Sequence, residues 1–160
     1  MPKLNFTPLP KDQVRLLQNG HPDADGNTPE RHISDGDGNA CRFCLAEIAE
    51  GDEYLIVAHR PFTTRQPYSE QGPIFLHAEE CAAYEDLQTL PEMYRQRAGL
   101  LLRGYDENER IVYGTGQTVR PDQIEVAAQK ILATKEVRFV HARSATNNCY
   151  QFRIEPMHEE

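Results

Sequence analysis

The sequence predicts an α+β fold built on a small mixed or antiparallel sheet, with two hairpins and two to three helices. Apolar residues make up 39% of the 160 residues, which provides one modest core and leaves much of the chain in solvated loops. Short β-branched runs and amphipathic segments intermix without a regular βαβ rhythm, and this mixture favours α+β. The length is that of one domain, so we expect a single domain over residues 1–160.

The first 40 residues predict little regular structure. After an extended start, Pro10 suits the first position of a short helix in which Val14 and Leu17 form an apolar stripe. Residues 20–40 consist almost entirely of turn-forming residues. We therefore expect a flexible loop there.

The middle of the chain predicts a pair of strands. YLIVAH (54–59) and PIFLH (73–77) are short, largely apolar runs of the kind found in buried strands. A proline-containing loop joins them. The segment from Ala78 to Tyr84 is rich in helix formers and predicts the start of a short helix.

The C-terminal half, residues 90–155, is expected to hold the conventional α+β core. Its clearest element is a helix whose apolar residues recur at intervals of three and four. The predicted elements are a helix over 90–98, a first hairpin from 99–106 and 110–114, the clear helix over 121–133, and a second hairpin from 137–142 and 149–155.

Four residues have the spacing of a metal site: Cys41, Cys44, His77 and Cys81. C-x2-C places two thiolates on one tight turn, and H-x3-C places a second pair one helical turn apart. This set matches the closed tetrahedral shell of structural zinc, and thiolates disfavour Mg²⁺ and Ca²⁺. We therefore predict a structural Zn²⁺ ion in a zinc-knuckle segment, residues 41–84. Taken singly, each residue is equally consistent with a buried thiol or an ordinary strand-end histidine.

The order of these features resembles a treble-clef zinc finger. CRFCLAEIAEGDEYLIV supplies a knuckle and a strand, and GPIFLHAEEC supplies a second strand and the later ligand pair. The last ligand gap is three residues where many such fingers have two, so the resemblance is one of architecture. It implies that His77 and Cys81 lie on the start of a helix.

Cys149 stands apart from the predicted metal site. The second hairpin would bring Cys149 close to His141 across its turn, with Asn147 nearby. A histidine lowers the pKa of a thiol and an amide orients the imidazole, as in thiol hydrolases and transferases. An enzyme hypothesis therefore names Cys149 as nucleophile and His141 as base. An ordinary packed hairpin with an Asn-Asn turn explains the same residues.

The loop between the two central strands is a candidate binding surface. Arg60, Arg65 and Tyr68 occur there in a rigid proline frame that can recognise an anion or a peptide. We expect a protein or small-molecule partner near Tyr68 to Phe75. A plain strand connection is the alternative.

The charge and the apolar pattern exclude several classes of function. A net charge of −8 argues against nucleic-acid binding, because neutralising phosphates needs a basic face. No apolar run approaches the roughly 18 residues of a membrane span, and the first residues lack the apolar core of a secretory signal. We expect a cytoplasmic protein whose cysteines serve metal binding or chemistry rather than disulfides.

Nearly the whole sequence resembles the bacterial domain of unknown function 1203 family. The most specific parts are PYSEQGPIF, around Tyr68 to Phe75, and VHAR…CYQFRI in the second predicted hairpin. The resemblance is weakest in residues 20–40. It supports the predicted fold, and because the family name carries no activity it leaves the function open. The choice is between a binding or adaptor module with structural zinc and an enzyme that uses Cys149 and His141.

Overall fold

A computed structural model describes residues 1–158. Within that range the fold is α+β, as predicted, with eight strands in two antiparallel sheets and three α-helices. The strands are β1 Leu4–Thr7, β2 Glu30–Ile33, β3 Glu53–His59, β4 Gly72–His77, β5 Leu100–Tyr105, β6 Gln117–Val119, β7 Phe139–Ser144 and β8 Tyr150–Pro156. The helices are α1 Lys11–Gln18, α2 Glu92–Arg95 and α3 Ile124–Leu132. None of the helices in this range is long and apolar enough to cross a membrane.

The chain divides into two compact units. The larger unit comprises Met1–Thr7, Phe62–Ser69 and the chain from Asp86 onward, and the smaller unit comprises Pro8–Pro61 and Glu70–Glu85. The larger unit contains the sheet β1-β8-β7-β5-β6, and the smaller unit contains the sheet β2-β3-β4. The single domain expected from the length stays a prediction.

Helix α3 packs on the larger sheet with the apolar stripe that its sequence predicts. Its buried residues are Ile124, Ala127, Ala128 and Ile131. Gly104 on β5 allows this close approach, since a Cβ there would lie 2.8 Å from Cγ2 of Ile131. Burial of this stripe against the sheet is what orders the helix.

The first predicted hairpin is wrong in its second strand. Residues 110–114 form no strand: Ile111 makes one isolated bridge with Tyr105, and β5 pairs instead with β6. The chain does return alongside β5 after the turn at Asp106, and the N–H of Val112 donates to the carbonyl of Gly104 at 2.9 Å. A second turn then ends the pairing, because Oγ1 of Thr115 accepts from the N–H of Gly104 and donates to the carbonyl of Val112.

The helix predicted over 90–98 is shorter than its sequence suggests. Only the single turn of α2 forms, and no side chain caps its start at Pro91. Tyr94 is its buried residue, and the tyrosine hydroxyl donates to Oε1 of Gln151 at 3.0 Å. Because only one side chain of this segment is buried and no side chain caps its start, the helix does not extend beyond one turn.

In the smaller unit the predicted helix and strand pair are confirmed as α1, β3 and β4. The expectation that residues 20–40 form only a loop is wrong, because they contain β2. All four residues of β2 are exposed, and Arg31 pairs with Leu55 of β3. An edge strand that buries neither face has no apolar alternation, so its sequence carries no strand signal.

Candidate metal centre

The C-x2-C motif forms a tight knuckle in the smaller unit. The backbone N–H of Cys41 donates to the carbonyl of Ala46, and that of Leu45 donates to the carbonyl of Cys41, both at 3.0 Å. Leu45 has a φ of 54°, which is uncommon for a leucine, and its side chain is buried. The knuckle thus presents Cys41 and Cys44 from one turn, as their spacing predicts.

Strand β4 connects this knuckle with the second ligand pair. Cys41 forms an isolated parallel bridge with Phe75, and the N–H of Arg42 donates to the carbonyl of Phe75 at 3.0 Å. His77 ends β4, and its backbone N–H donates to Sγ of Cys41 at 3.4 Å. Backbone pairing therefore brings together ligands that lie far apart in the sequence.

The four predicted ligands meet at one point, where their ligand atoms all lie within 4.8 Å of one another. The sulfurs of Cys41 and Cys81 are 3.9 Å apart, and Sγ of Cys44 lies 3.5 Å from Nδ1 of His77. A tetrahedral ion with metal–sulfur bonds of about 2.3 Å and metal–nitrogen bonds of about 2.0 Å requires edges of about 3.8 Å and about 3.5 Å. Both distances fit, so the cluster is a plausible metal site.

Hydrogen bonds among the ligands shift their pKa values in opposite directions. Hydrogen bonds from Cys44 and Cys81 lower the pKa of the Cys41 thiol, and the bond to Cys41 raises the pKa of Cys44. Hydrogen bonds with Cys41 and Cys44 raise the pKa of His77 to about 10, and the bond with Cys41 raises that of Cys81 to about 11. Metal binding requires deprotonated thiols and a neutral imidazole. A bound cation would therefore displace the protons that Cys44, His77 and Cys81 hold.

The site is neither fully buried nor fully open. Cys41 is buried, whereas Cys44, His77 and Cys81 are half-buried. A cleft of about 560 Å³ adjoins the last two ligands, and its other lining residues are Gly51, Asp52, Glu53, Glu79 and Glu80. This acidic cleft gives a cation a route to the ligands.

Helix α1 holds the second ligand pair in place. Nε2 of Gln18 donates to the carbonyls of His77 and Glu79, both at 2.9 Å, and Nη2 of Arg15 donates to the carbonyl of Cys81 at 2.9 Å. Arg15 also donates to Oε1 of Gln18 at 2.8 Å, so each side chain helps to orient the other. Sequence reasoning missed both residues. The sequence offered one indication of such a role, because Gln18 is a polar residue on the same face of α1 as Val14 and Leu17.

The helix predicted from Ala78 to Tyr84 is not formed, so His77 and Cys81 do not lie on a helix start. The carbonyls that would begin such a helix are satisfied by side chains of α1 instead. The likeness to a treble clef therefore extends to the knuckle and the strand pair, and it lacks the closing helix.

The structure does not pair Cys149 with His141, so the expected proximity across the hairpin is wrong. Opposite His141 on β8 lies Arg153, four residues and therefore roughly 13 Å along the strand from Cys149. Ser144 closes the turn instead: its N–H donates to the carbonyl of Cys149 at 2.9 Å, and its Oγ accepts from the N–H of Cys149 at 3.0 Å. A catalytic role for either residue stays a prediction.

The surroundings of the two residues also differ. His141 is 1% exposed and packs among four aromatic rings with centroids 4.7–5.1 Å away. Those rings belong to Phe62, Tyr105, Phe139 and Tyr150. Sγ of Cys149 lies at the turn, 3.7 Å from the carbonyl of Asn147.

The predicted binding loop is shared between the two units. In the larger unit, the hydroxyl of Tyr68 hydrogen-bonds that of Tyr113 at 2.9 Å, and the guanidinium of Arg110 lies over the Tyr68 ring. In the smaller unit, the ring of Phe75 packs edge-on against Tyr54 on the neighbouring strand. Tyr68 and Phe75 belong to different units, and a partner near them stays a prediction.

Comparison with known proteins identifies a family. Residues 38–156 match the family model described as protein of unknown function, DUF1203. Neither the curated proteins nor the solved structures yield a significant match. The matched range contains Cys41, Cys44, His77 and Cys81 and covers well over half of the chain. The chain therefore belongs to the DUF1203 family of proteins of unknown function.

Proposed function

We propose that Cys41, Cys44, His77 and Cys81 bind Zn²⁺ as a structural ion and that the protein is a cytoplasmic binding or adaptor module. The observation that carries the zinc proposal is the pair of ligand distances, 3.9 Å and 3.5 Å, which are those of a tetrahedral shell. Three sulfurs and one imidazole favour zinc over harder cations. Four protein ligands complete the shell and leave no position for a substrate, which favours a structural ion.

The strong negative charge of the smaller unit is a physical reason for a bound cation to stabilise it. It has five Lys and Arg residues against 14 Asp and Glu residues, a net charge of −9. Self-repulsion on this scale opposes a compact state, and a bound dication offsets part of it. Zinc also cross-links the knuckle to the irregular segment after β4, with a binding free energy of about 10–16 kcal/mol in zinc-finger peptides.

The binding role rests on a cleft at the start of β4. It has a volume of about 330 Å³ and is bordered by Gln71, Gly72 and Pro73, within the stretch predicted to meet a partner. Its lining also includes Asp23 and Thr28. The cytoplasmic part of the proposal rests on the four cysteines, which are free thiols suited to a reducing compartment.

Metal analysis of the protein purified without added zinc tests the site. We expect about one equivalent of zinc per chain, retained by Cys149→Ser and lost by Cys81→Ser. Less than about half an equivalent in the unmodified chain would contradict the proposal.

Cobalt substitution tests whether the ion is structural. Co²⁺ in a tetrahedral S₃N shell gives intense visible absorption bands. A closed shell leaves this spectrum unchanged on addition of azide or imidazole. A spectral change with either ligand would reveal an open position and would overturn the structural assignment.

A further inference from the structure

A third cleft in the smaller unit opens beside α1 and has a volume of about 400 Å³. Its apolar lining consists of Leu16, Leu17, Pro22, Ala24 and Ala58. Its polar lining consists of Gln13, His21, Asp23, His59 and Arg60. Small-molecule sites typically have volumes of about 300–1,000 Å³, with apolar walls and a few placed polar groups. The cleft has both properties.

Arg60 lines this cleft, and within residues 1–158 its guanidinium forms no ion pair with a carboxylate. Among residues 1–158, its guanidinium has one hydrogen bond, from Nη2 to the amide Oε1 of Gln71 at 2.6 Å. Other arginines of the smaller unit pair with carboxylates: Arg15 with Glu80 and Arg31 with Glu53. A half-buried guanidinium that contacts only a neutral amide keeps its full charge and has donors to offer an anion.

Two uncharged polar groups lie next to Arg60. His59 is 5% exposed, and Nε2 of Gln13 lies 3.5 Å from its Nδ1. Burial, together with the positive charges of Arg42 and Arg60, lowers the pKa of His59 to about 4. Two guanidinium groups thus act on His59 in a unit whose net charge is −9.

Asp23 is the acidic residue of the cleft, and backbone groups already engage its carboxylate. Oδ2 accepts from the N–H of Ala58 at 3.0 Å, and Oδ1 accepts from the N–H groups of Asp25 and Asn27 at 3.0 and 3.1 Å. These bonds anchor the turn that forms one wall. The N–H dipoles also offset part of the negative field of Asp23, although the carboxylate keeps its charge.

We propose that this cleft binds a small organic carboxylate, with the carboxylate on Arg60 and the apolar body against Leu16 and Leu17. The inference rests on the proposed role as a binding module, and it adds a ligand class for a cleft that shares Asp23 and Ala58 with the cleft at the start of β4. A carboxylate can form two parallel hydrogen bonds with the planar guanidinium. Phosphate can do the same, but the apolar wall stabilises an organic body and adds nothing for an inorganic ion.

Isothermal titration calorimetry on the full, zinc-loaded chain tests the ligand class, with hexanoate, hexanamide, acetate and inorganic phosphate as probes. We expect hexanoate to bind at least about tenfold more tightly than hexanamide, which lacks the charge. Hexanoate should also exceed acetate and phosphate, which lack the apolar body. Hexanamide binding as tight as hexanoate, phosphate binding tighter than hexanoate, or no binding by hexanoate would each overturn the proposal.

Two variants locate the site. Arg60→Gln should weaken hexanoate binding at least about tenfold, whereas Arg31→Gln, a matched change at an exposed ion-paired arginine, should leave it unchanged. Leu16 is 49% exposed, so Leu16→Ser keeps the fold and should weaken hexanoate more than acetate. Equal effects of the two arginine variants, or no effect of Leu16→Ser, would place binding elsewhere and contradict the proposal.

Zinc content measured on the same samples separates this inference from the function on which it rests. Full zinc occupancy without hexanoate binding contradicts the carboxylate site alone. Hexanoate binding by protein that is purified without added zinc and holds less than about half an equivalent supports the carboxylate site and contradicts the structural ion.

Discussion

The two units of this protein differ in what can stabilise them. The larger unit has 12 Lys and Arg residues against 11 Asp and Glu residues, whereas the smaller unit has a net charge of −9. The acidity of the whole chain therefore arises from the unit that contains the Cys₃His cluster. Charge repulsion and an exposed edge strand weaken the smaller unit, and a cation bound at the cluster would offset part of the repulsion.

The larger unit, by contrast, is stabilised by ordinary apolar burial. The ring of Phe152 packs edge-on against Phe6 and Tyr94, with centroids 5.9 and 4.8 Å away, and all three side chains are almost fully buried. Strand β8 lies between β1 and β7, so this cluster joins the centre of the sheet to its edge. The smaller unit also buries apolar side chains such as Ile48 and Leu76, so the comparison predicts that a metal ion adds to an apolar core there and is not needed in the larger unit.

The largest expected effect is that of removing a ligand. Cys41→Ser should abolish the proposed zinc binding and lower the free energy of unfolding of the smaller unit by more than about 5 kcal/mol, because the binding free energy of a structural ion adds to the stability of the fold. Thermal unfolding and metal analysis measure both changes. Cys149→Ser is the control, with an expected change within about 0.5 kcal/mol. Equal stability of the two variants would remove the proposed difference between the units.

The converse substitution lies in the larger unit. Phe152→Ala should lower the free energy of unfolding by about 3–5 kcal/mol, because it deletes a fully buried ring at the centre of an aromatic cluster. Denaturant unfolding measures the loss, and metal analysis should show zinc retained. Loss of zinc from this variant would mean that the two units are not stabilised separately.

Acid should destabilise the smaller unit through His59. Its pKa falls from 6.5 to about 4 in the folded chain, so between these values the unfolded state binds more protons. The stability contribution is complete above pH 6.5 and is lost as the pH falls towards 4, by up to about 3 kcal/mol. Urea unfolding against pH should show a shallower dependence for His59→Gln than for the unmodified chain. His21→Gln, at an exposed position, serves as the control.

That pH prediction fails if the two histidine variants and the unmodified chain share one pH dependence between 4 and 6.5. The comparison between variants matters because protonation of the metal ligands also destabilises the folded chain in acid. Both variants contain those ligands unchanged, so their difference isolates the buried imidazole.

The smallest expected effect concerns the support that α1 gives to the metal site. Gln18→Ala removes the donor to the carbonyls of His77 and Glu79 and should cost about 1–2 kcal/mol of stability. Metal affinity should fall at least about tenfold, as measured by competition with a chelator. Lys11→Ala, on the exposed side of the same helix, should change neither quantity. Unchanged metal affinity in Gln18→Ala would show that residues 77–81 are ordered without the hydrogen bonds from Gln18.

Much of the fold and the metal cluster could be predicted from local patterns. The apolar runs at β3 and β4 and the stripe on α3 predict buried elements, because each pattern spans a single element. The C-x2-C and H-x3-C spacings likewise predict which side chains can share one turn. The ligand set Cys41, Cys44, His77 and Cys81 followed from those spacings, and the structure brings all four together.

Other features depend on contacts between residues far apart in the sequence. The helix formers after His77 do not form a helix, since Gln18 and Arg15, some 60 residues earlier, bind the carbonyls there. Strand β2 exists because β3 offers it an edge, and its own sequence is polar. The offset between Cys149 and His141 follows from the way Ser144 closes their turn.

The sequence by itself determined the α+β class, the principal strands and helices, and the ligand set, because these follow from the polarity and spacing of neighbouring residues. The tertiary structure alone decided the division into two units, the role of α1 in holding residues 77–81, and the cleft beside Arg60. Each of these depends on strand register and on hydrogen bonds between side chains and distant backbone groups, which local periodicity does not encode.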